Sequence, residues 1–71
     1  MATVQATMAG IVLRVLAQPG DRVETGQDVV VLESMKMEIP IQAERAGVVA
    51  EVLVNEGDFV NEGDDLVRLE D

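Results

Sequence analysis

The chain has no cysteine, histidine, tryptophan or tyrosine, and among its 71 residues Phe59 is the only aromatic, Ser34 the only serine and Lys36 the only lysine. Each absence removes a class of chemistry. Without cysteine there are no disulfides, and without cysteine or histidine the usual zinc ligands are missing, so aliphatic packing must stabilise this small fold. A lone serine with no histidine or cysteine cannot build the usual nucleophile and base. Ser34 beside Lys36 is the one pairing left, and a tight turn there would splay the two side chains. No apolar run approaches the roughly 18–20 residues of a spanning helix. The N-terminal stretch lacks the basic start and apolar core of a signal peptide. No membrane partner is expected, and a soluble, cytoplasmic protein is.

Positive charge is also scarce: 14 acidic residues stand against 5 basic ones, a formal net charge of −9. Nucleic-acid binding needs clustered Lys and Arg to displace counterions from phosphates, and this composition excludes it. The acids are spread along the chain, as on a solvated surface. The pairs Asp64-Asp65 and Glu70-Asp71 lack the ligand spacing of a calcium loop, so no metal site is expected. The Gly-Asp steps lead into short β segments rather than helix N-termini, which excludes a phosphate loop.

What is present is an aliphatic, β-branched sequence written twice. Gly10 to Glu33 aligns without a gap on Gly47 to Glu70, an offset of 37 residues, with 12 of the 24 positions identical. Both copies keep glycines (Gly20 and Gly57, Gly26 and Gly63), aspartates (Asp21 and Asp58, Asp28 and Asp65) and apolar positions. These are fold determinants, glycine where the backbone needs positive φ and aspartate bonding turn amides. Thr3, Val4 and Thr7 suggest a weak first strand within residues 2–8. A second strand follows Gly10, then turns at Pro19-Gly20-Asp21 and Thr25-Gly26-Gln27-Asp28, and a strand from Val29 to Glu33. Period-two alternation puts Ile11, Leu13, Val15 and Ala17 on the inner face, matched by Val48, Ala50, Val52 and Val54. Arg14 and Gln18 then face solvent, as do Glu51 and Asn55 at the same places in the second copy. Pro40 cannot donate a ladder hydrogen bond, so residues 39–43 form an edge strand or a strand end.

Neither copy can bury a face alone, so the two must pack on each other. The expected fold is all-β: a flattened antiparallel barrel or sandwich with an internal pseudo-two-fold, one domain over residues 1–71. The linking segment lies at one end and the chain termini near each other at the opposite end.

The linking segment is Glu33-Ser34-Met35-Lys36-Met37-Glu38. Two-residue hairpin loops favour Asn-Gly or Asp-Gly, and Met-Lys is poor turn chemistry. A turn that defies its local preference is often kept for another reason. The only lysine, central and flanked by methionines that offer a soft apolar patch, reads as a displayed modification site.

This hexapeptide resembles the attachment motif of biotinyl domains, the biotin carboxyl carrier modules of carboxylases, in which Ala-Met-Lys-Met is usual. The two Gly-Asp-x-Val-x-x-Gly segments at residues 20–26 and 57–63 extend the resemblance over nearly the whole chain. It implies a flattened eight-stranded barrel with Lys36 on a β-hairpin turn, biotinylated by a biotin protein ligase. Met35 and Met37 are the implied recognition flanks. The biotin arm would swing between biotin carboxylase and carboxyltransferase sites, and the chain would be a monomeric carrier domain with no active site of its own. Ser34 stands where alanine is commoner, and Ala9 and Glu44 replace prolines often seen before the first strand of each half. The gapless repeat leaves no room for the thumb of many bacterial acetyl-CoA carboxylase carriers. Lipoyl domains share the fold but usually carry Asp-Lys-Ala, so the methionines favour biotin over lipoate. The alternatives are a lipoyl carrier of a dehydrogenase-type complex and a β-barrel interaction module that is never acylated.

Overall fold

The computed structural model describes residues 2–70. They form eight strands: β1 (Ala2–Gln5), β2 (Gly10–Val15), β3 (Arg22–Val23), β4 (Asp28–Ser34), β5 (Met37–Gln42), β6 (Gly47–Val52), β7 (Phe59–Val60) and β8 (Asp65–Leu69). They build two four-stranded antiparallel sheets, ordered β1-β8-β6-β3 and β5-β4-β2-β7. The body is elongated, 33 × 19 × 18 Å.

The 37-residue offset relates the two sheets, because β2, β3 and β4 become β6, β7 and β8, and β1 becomes the 39–42 stretch of β5. Val30↔Ile41 in one sheet repeats as Val67↔Val4 in the other. Each sheet is not the product of one half alone. The short strands are exchanged, β3 pairing with β6 and β7 with β2, so each half clamps an edge of the other.

The first turn of each copy repeats bond for bond. Gly20 and Gly57 sit at φ +92° and +93°, a region a Cβ disfavours. The Asp21 Oδ2 accepts from the Gln18 amide at 2.9 Å, and the Asp58 Oδ2 from the Asn55 amide at 2.8 Å. Asp28 and Asp65 face outward instead, each accepting a side-chain amide from the neighbouring strand, Gln42 and Gln5.

The core between the sheets is aliphatic, with Leu32, Leu66, Leu69, Val12, Val23, Val29, Val30, Val49 and Val67 fully enclosed. Val12 and Val49 correct the alternation read from sequence. In β2, Val12 faces Leu32 while Arg14 faces Val31, so Leu13 is an extra residue, a β-bulge. β6 has the same break between Val49 and Glu51. A bulge reverses which side chains face inward. Ahead of it the inner residues are Val12 and Val49, and Ile11 is exposed; beyond it Ala17 and Val54 are buried, with Val15 and Val52 packed at the margin. The expected inner face thus holds only for its second half; Leu13, Val48 and Ala50 are half-buried and outside the core cluster. Pro40 sits on β5, an edge strand as expected, opposite Val31.

Candidate functional site

The hexapeptide forms the end of the β4–β5 hairpin. Ser34 pairs with Met37, and Met35 and Lys36 make a two-residue turn. Both lie in the left-handed region, with φ of 53° and 65°. Positive φ at both central residues defines a type I′ turn, whose twist matches the flanking strands. Without glycine or asparagine, each residue bears a penalty of about 1–2 kcal/mol. The aliphatic pairs Leu32↔Ile39 and Val30↔Ile41 lower in the hairpin offset it, since Leu32, Val30 and Ile41 are buried. Non-glycine residues held this way are a mark of functional turns.

The turn displays its side chains. Met35 is 87% exposed, Met37 56%, and Lys36 is exposed between them. Among the described residues Met35 is the most exposed large apolar side chain, and with Met37 it leaves apolar surface on either side of the chain's only lysine. The tip is convex. A shallow groove of about 510 Å³ runs between edge strands β1 and β5, and none of residues 33–37 lines it. A protruding amine can be delivered into another protein's cleft, but it cannot itself enclose a small molecule.

Just below the turn lies an ion pair that reading the sequence missed. Glu33 faces Glu38 across the two strands, an unfavourable like-charge pair. Arg14 reaches across from β2 and its Nη2 donates to the Glu38 Oε1 at 2.8 Å. Its counterpart in the second copy, Glu51, accepts from the Arg68 Nη2 at 2.8 Å. The charge reversal between copies therefore marks exposed positions that still have partners of opposite sign on their own sheets. A sequence signal existed, Arg14 against two glutamates, but not the register that joins them.

The remaining candidates fall elsewhere. Ser34 closes β4 and is half-buried, one residue below the turn. Asp64 accepts from the Asn61 amide and Asp65 from the Gln5 side chain, so both acids serve the fold. Of the pair Glu70-Asp71, Asp71 lies outside the described residues. Among the described residues no group of three His, Cys, Asp or Glu is placed to hold a metal ion.

A family model described as "Biotin-requiring enzyme", covering biotin and lipoyl attachment domains, matches residues 2–69. The biotin carboxyl carrier protein of acetyl-CoA carboxylase from Solanum lycopersicum is 53% identical over 36 residues, 51% of this chain and 51% of that protein. The chain thus spans about half the length of such curated relatives. Among solved structures, the Kluyveromyces lactis urea carboxylase superimposes with a TM-score of 0.91 at 30% identity, over 97% of this chain and 6% of that one. The lipoyl domain of the 2-oxoglutarate dehydrogenase complex from Azotobacter vinelandii gives 0.75 at 30% identity, over 96% of each chain.

Proposed function

The chain belongs to the biotin/lipoyl attachment family, and from that premise we propose that it is a biotin carboxyl carrier whose attachment point is Lys36. The observation that carries the reading is the only lysine of the chain, held at the tip of a type I′ turn between exposed Met35 and Met37. An exposed primary amine on a protruding hairpin fits a group bound through an amide. In that step Lys36 supplies the nucleophile. Its Nζ forms the C–N bond to an acyl carbon activated by a biotin protein ligase at the expense of ATP, the activating group departs, and the amine proton passes to solvent. The formal net charge of −9 becomes −10.

Bound biotin supplies the chemistry of carrying a carboxylate between biotin carboxylase and carboxyltransferase sites, and the protein supplies attachment and presentation. Tethering replaces diffusion with a high effective concentration at each site. The rigid hairpin holds the root of the arm, and the acidic surface limits sticking between transfers. The chain in this reading is a substrate of its ligase rather than an enzyme, and it works in the cytoplasm as a monomeric module.

Lipoate is the competing load, because lipoyl domains share the fold. The methionine flanks favour biotin. The test is the intact mass of the chain after incubation with ATP and either biotin plus a biotin protein ligase or lipoate plus a lipoate ligase. The expected result is the gain of one biotinyl group in the first reaction and little or no gain in the second. Preferential lipoylation would transfer the protein to the dehydrogenase-type carriers. No gain in either would leave an interaction module that is never acylated.

A further inference from the structure

The two copies of the repeat both begin with a glycine, Gly10 opening β2 and Gly47 opening β6. Neither lies in the positive-φ region, so backbone freedom explains neither. Their surroundings differ. A Cβ at Gly10 would stand 2.6 Å from the Glu33 carbonyl oxygen, 3.3 Å from its carbon and 3.4 Å from the Ser34 Cβ. A Cβ at Gly47 would meet Leu69 at 3.6 and 3.7 Å and the Glu70 carbonyl oxygen at 3.9 Å, ordinary contacts. Glu70 is the 37-residue image of Glu33, so the same pair of positions is crowded at the hairpin end and roomy at the other.

We propose that Gly10 is a positioning residue for acylation. Its missing side chain lets β2 run tight against the last two residues of β4, and this seats the hairpin so that Lys36 is held in one pose. The inference rests on the carrier reading above and deepens it. The obstructing atoms are backbone, not the far end of a flexible side chain, so a methyl group cannot be accommodated by a rotamer change. The start of β2 is held on its other side by the Gly10↔Val60 and Ile11↔Phe59 pairs with β7, so the strain falls on Glu33-Ser34, the residues directly before Met35 and Lys36. Residue 10 lies at the start of β2, and the core pairs Val12↔Leu32 and Val15↔Val30 lie further along the strand. The displacement is therefore passed to the tip, and the core pairs are left in register. A shift of an ångström in a reacting group can cost orders of magnitude in rate.

The experiment compares Gly10→Ala with Gly47→Ala in the full chain. It measures chemical denaturation, the backbone amide resonances of Met35 and Lys36 in the unmodified protein, and kcat/KM for biotinylation by a biotin protein ligase. Gly10→Ala is expected to fold, to move the Met35 and Lys36 resonances, and to lose about tenfold or more in kcat/KM. Gly47→Ala should leave both readouts close to those of the parent. Wild-type kcat/KM in folded Gly10→Ala would overturn the proposal, as would equal losses in both variants or a loss with Met35 and Lys36 unmoved. A Gly10→Ala chain that fails to fold would also overturn it, because the space would then be needed by the fold and not by presentation. If the parent itself takes no acyl group, the carrier reading fails separately. The resonances then decide the seating: a moved tip in Gly10→Ala alone supports it, and an unmoved tip refutes it.

Discussion

The two ends of the molecule are images of each other under the pseudo-two-fold, yet they do different things. At one end β4 runs through Met35 and Lys36 into β5. At the other the corresponding strands are β8 and β1, paired Leu69↔Ala2. The repeat preserves what the fold needs at both ends: inward valines, positive-φ glycines and the aspartates that bond turn amides. The features without a counterpart collect around the hairpin, namely the strained turn, the two bare methionines, the single lysine and the close approach of Gly10. In a duplicated fold, a departure from symmetry separates what function requires from what folding requires.

The largest stability effects should test the symmetric part. Val12→Ala and Val49→Ala remove enclosed methyl groups on either side of the axis, and each should cost about 1.5–3 kcal/mol from lost burial and the cavity left behind. Val15→Ala and Val52→Ala, at the margin of the core, should cost roughly half as much. Denaturant melts of the four variants check both the pairing and the ranking. A larger loss at Val15 than at Val12 would mean that the bulge after Val12 does not reverse the inner face.

A smaller effect should appear only at the hairpin. Met35→Asn places a residue that tolerates positive φ in the first turn position and should stabilise the chain by up to about 1 kcal/mol. Stabilisation by Met35→Asn together with slower biotinylation would show that the sequence of the turn trades stability for recognition. A destabilised Met35→Asn would mean that the Met35 side chain contributes more to the fold than its exposure implies.

Smallest of all should be the outer ion pairs. Arg14→Ala and Glu51→Ala break partly exposed pairs, and each should change stability by no more than about 1 kcal/mol, with the effect shrinking in salt. Arg14→Ala should be the worse of the two, because it leaves Glu33 facing Glu38 without the guanidinium. Equal, salt-independent losses would indicate packing by the aliphatic stems rather than charge.

Much of this was readable in the residues because the chain states its fold twice. Identity at Gly20 and Gly57 or at Asp21 and Asp58 located the turns, and Pro40 located an edge. The inner face of β2 was harder, because Ile11, Val12, Leu13, Val15 and Leu16 are all apolar and alternation has no polar residue to set its phase before Arg14. The bulge at Leu13 then reverses that phase. One cue was present: Val12 and Val49 are identical in the two copies, whereas Ile11 and Leu13 vary. At the site, composition singled out Lys36 and its methionines. The partnership of Arg14 with Glu38 depends on strand order β5-β4-β2, and the crowding at Gly10 on a single interstrand approach. Both arise from tertiary geometry between segments distant in sequence.

The central claim is that one amine, in one place on a folded hairpin, is the acceptor. It is tested most directly by moving that amine a single step. Parent, Lys36→Arg and the double variant Met35→Lys with Lys36→Met are each incubated with ATP, biotin and a biotin protein ligase, then digested and mapped by mass. The account predicts biotin on Lys36 of the parent alone, because arginine offers no comparable nucleophile and a one-residue step redirects the side chain. Comparable biotinylation of the shifted lysine, or of the N-terminal amine in Lys36→Arg, would contradict it.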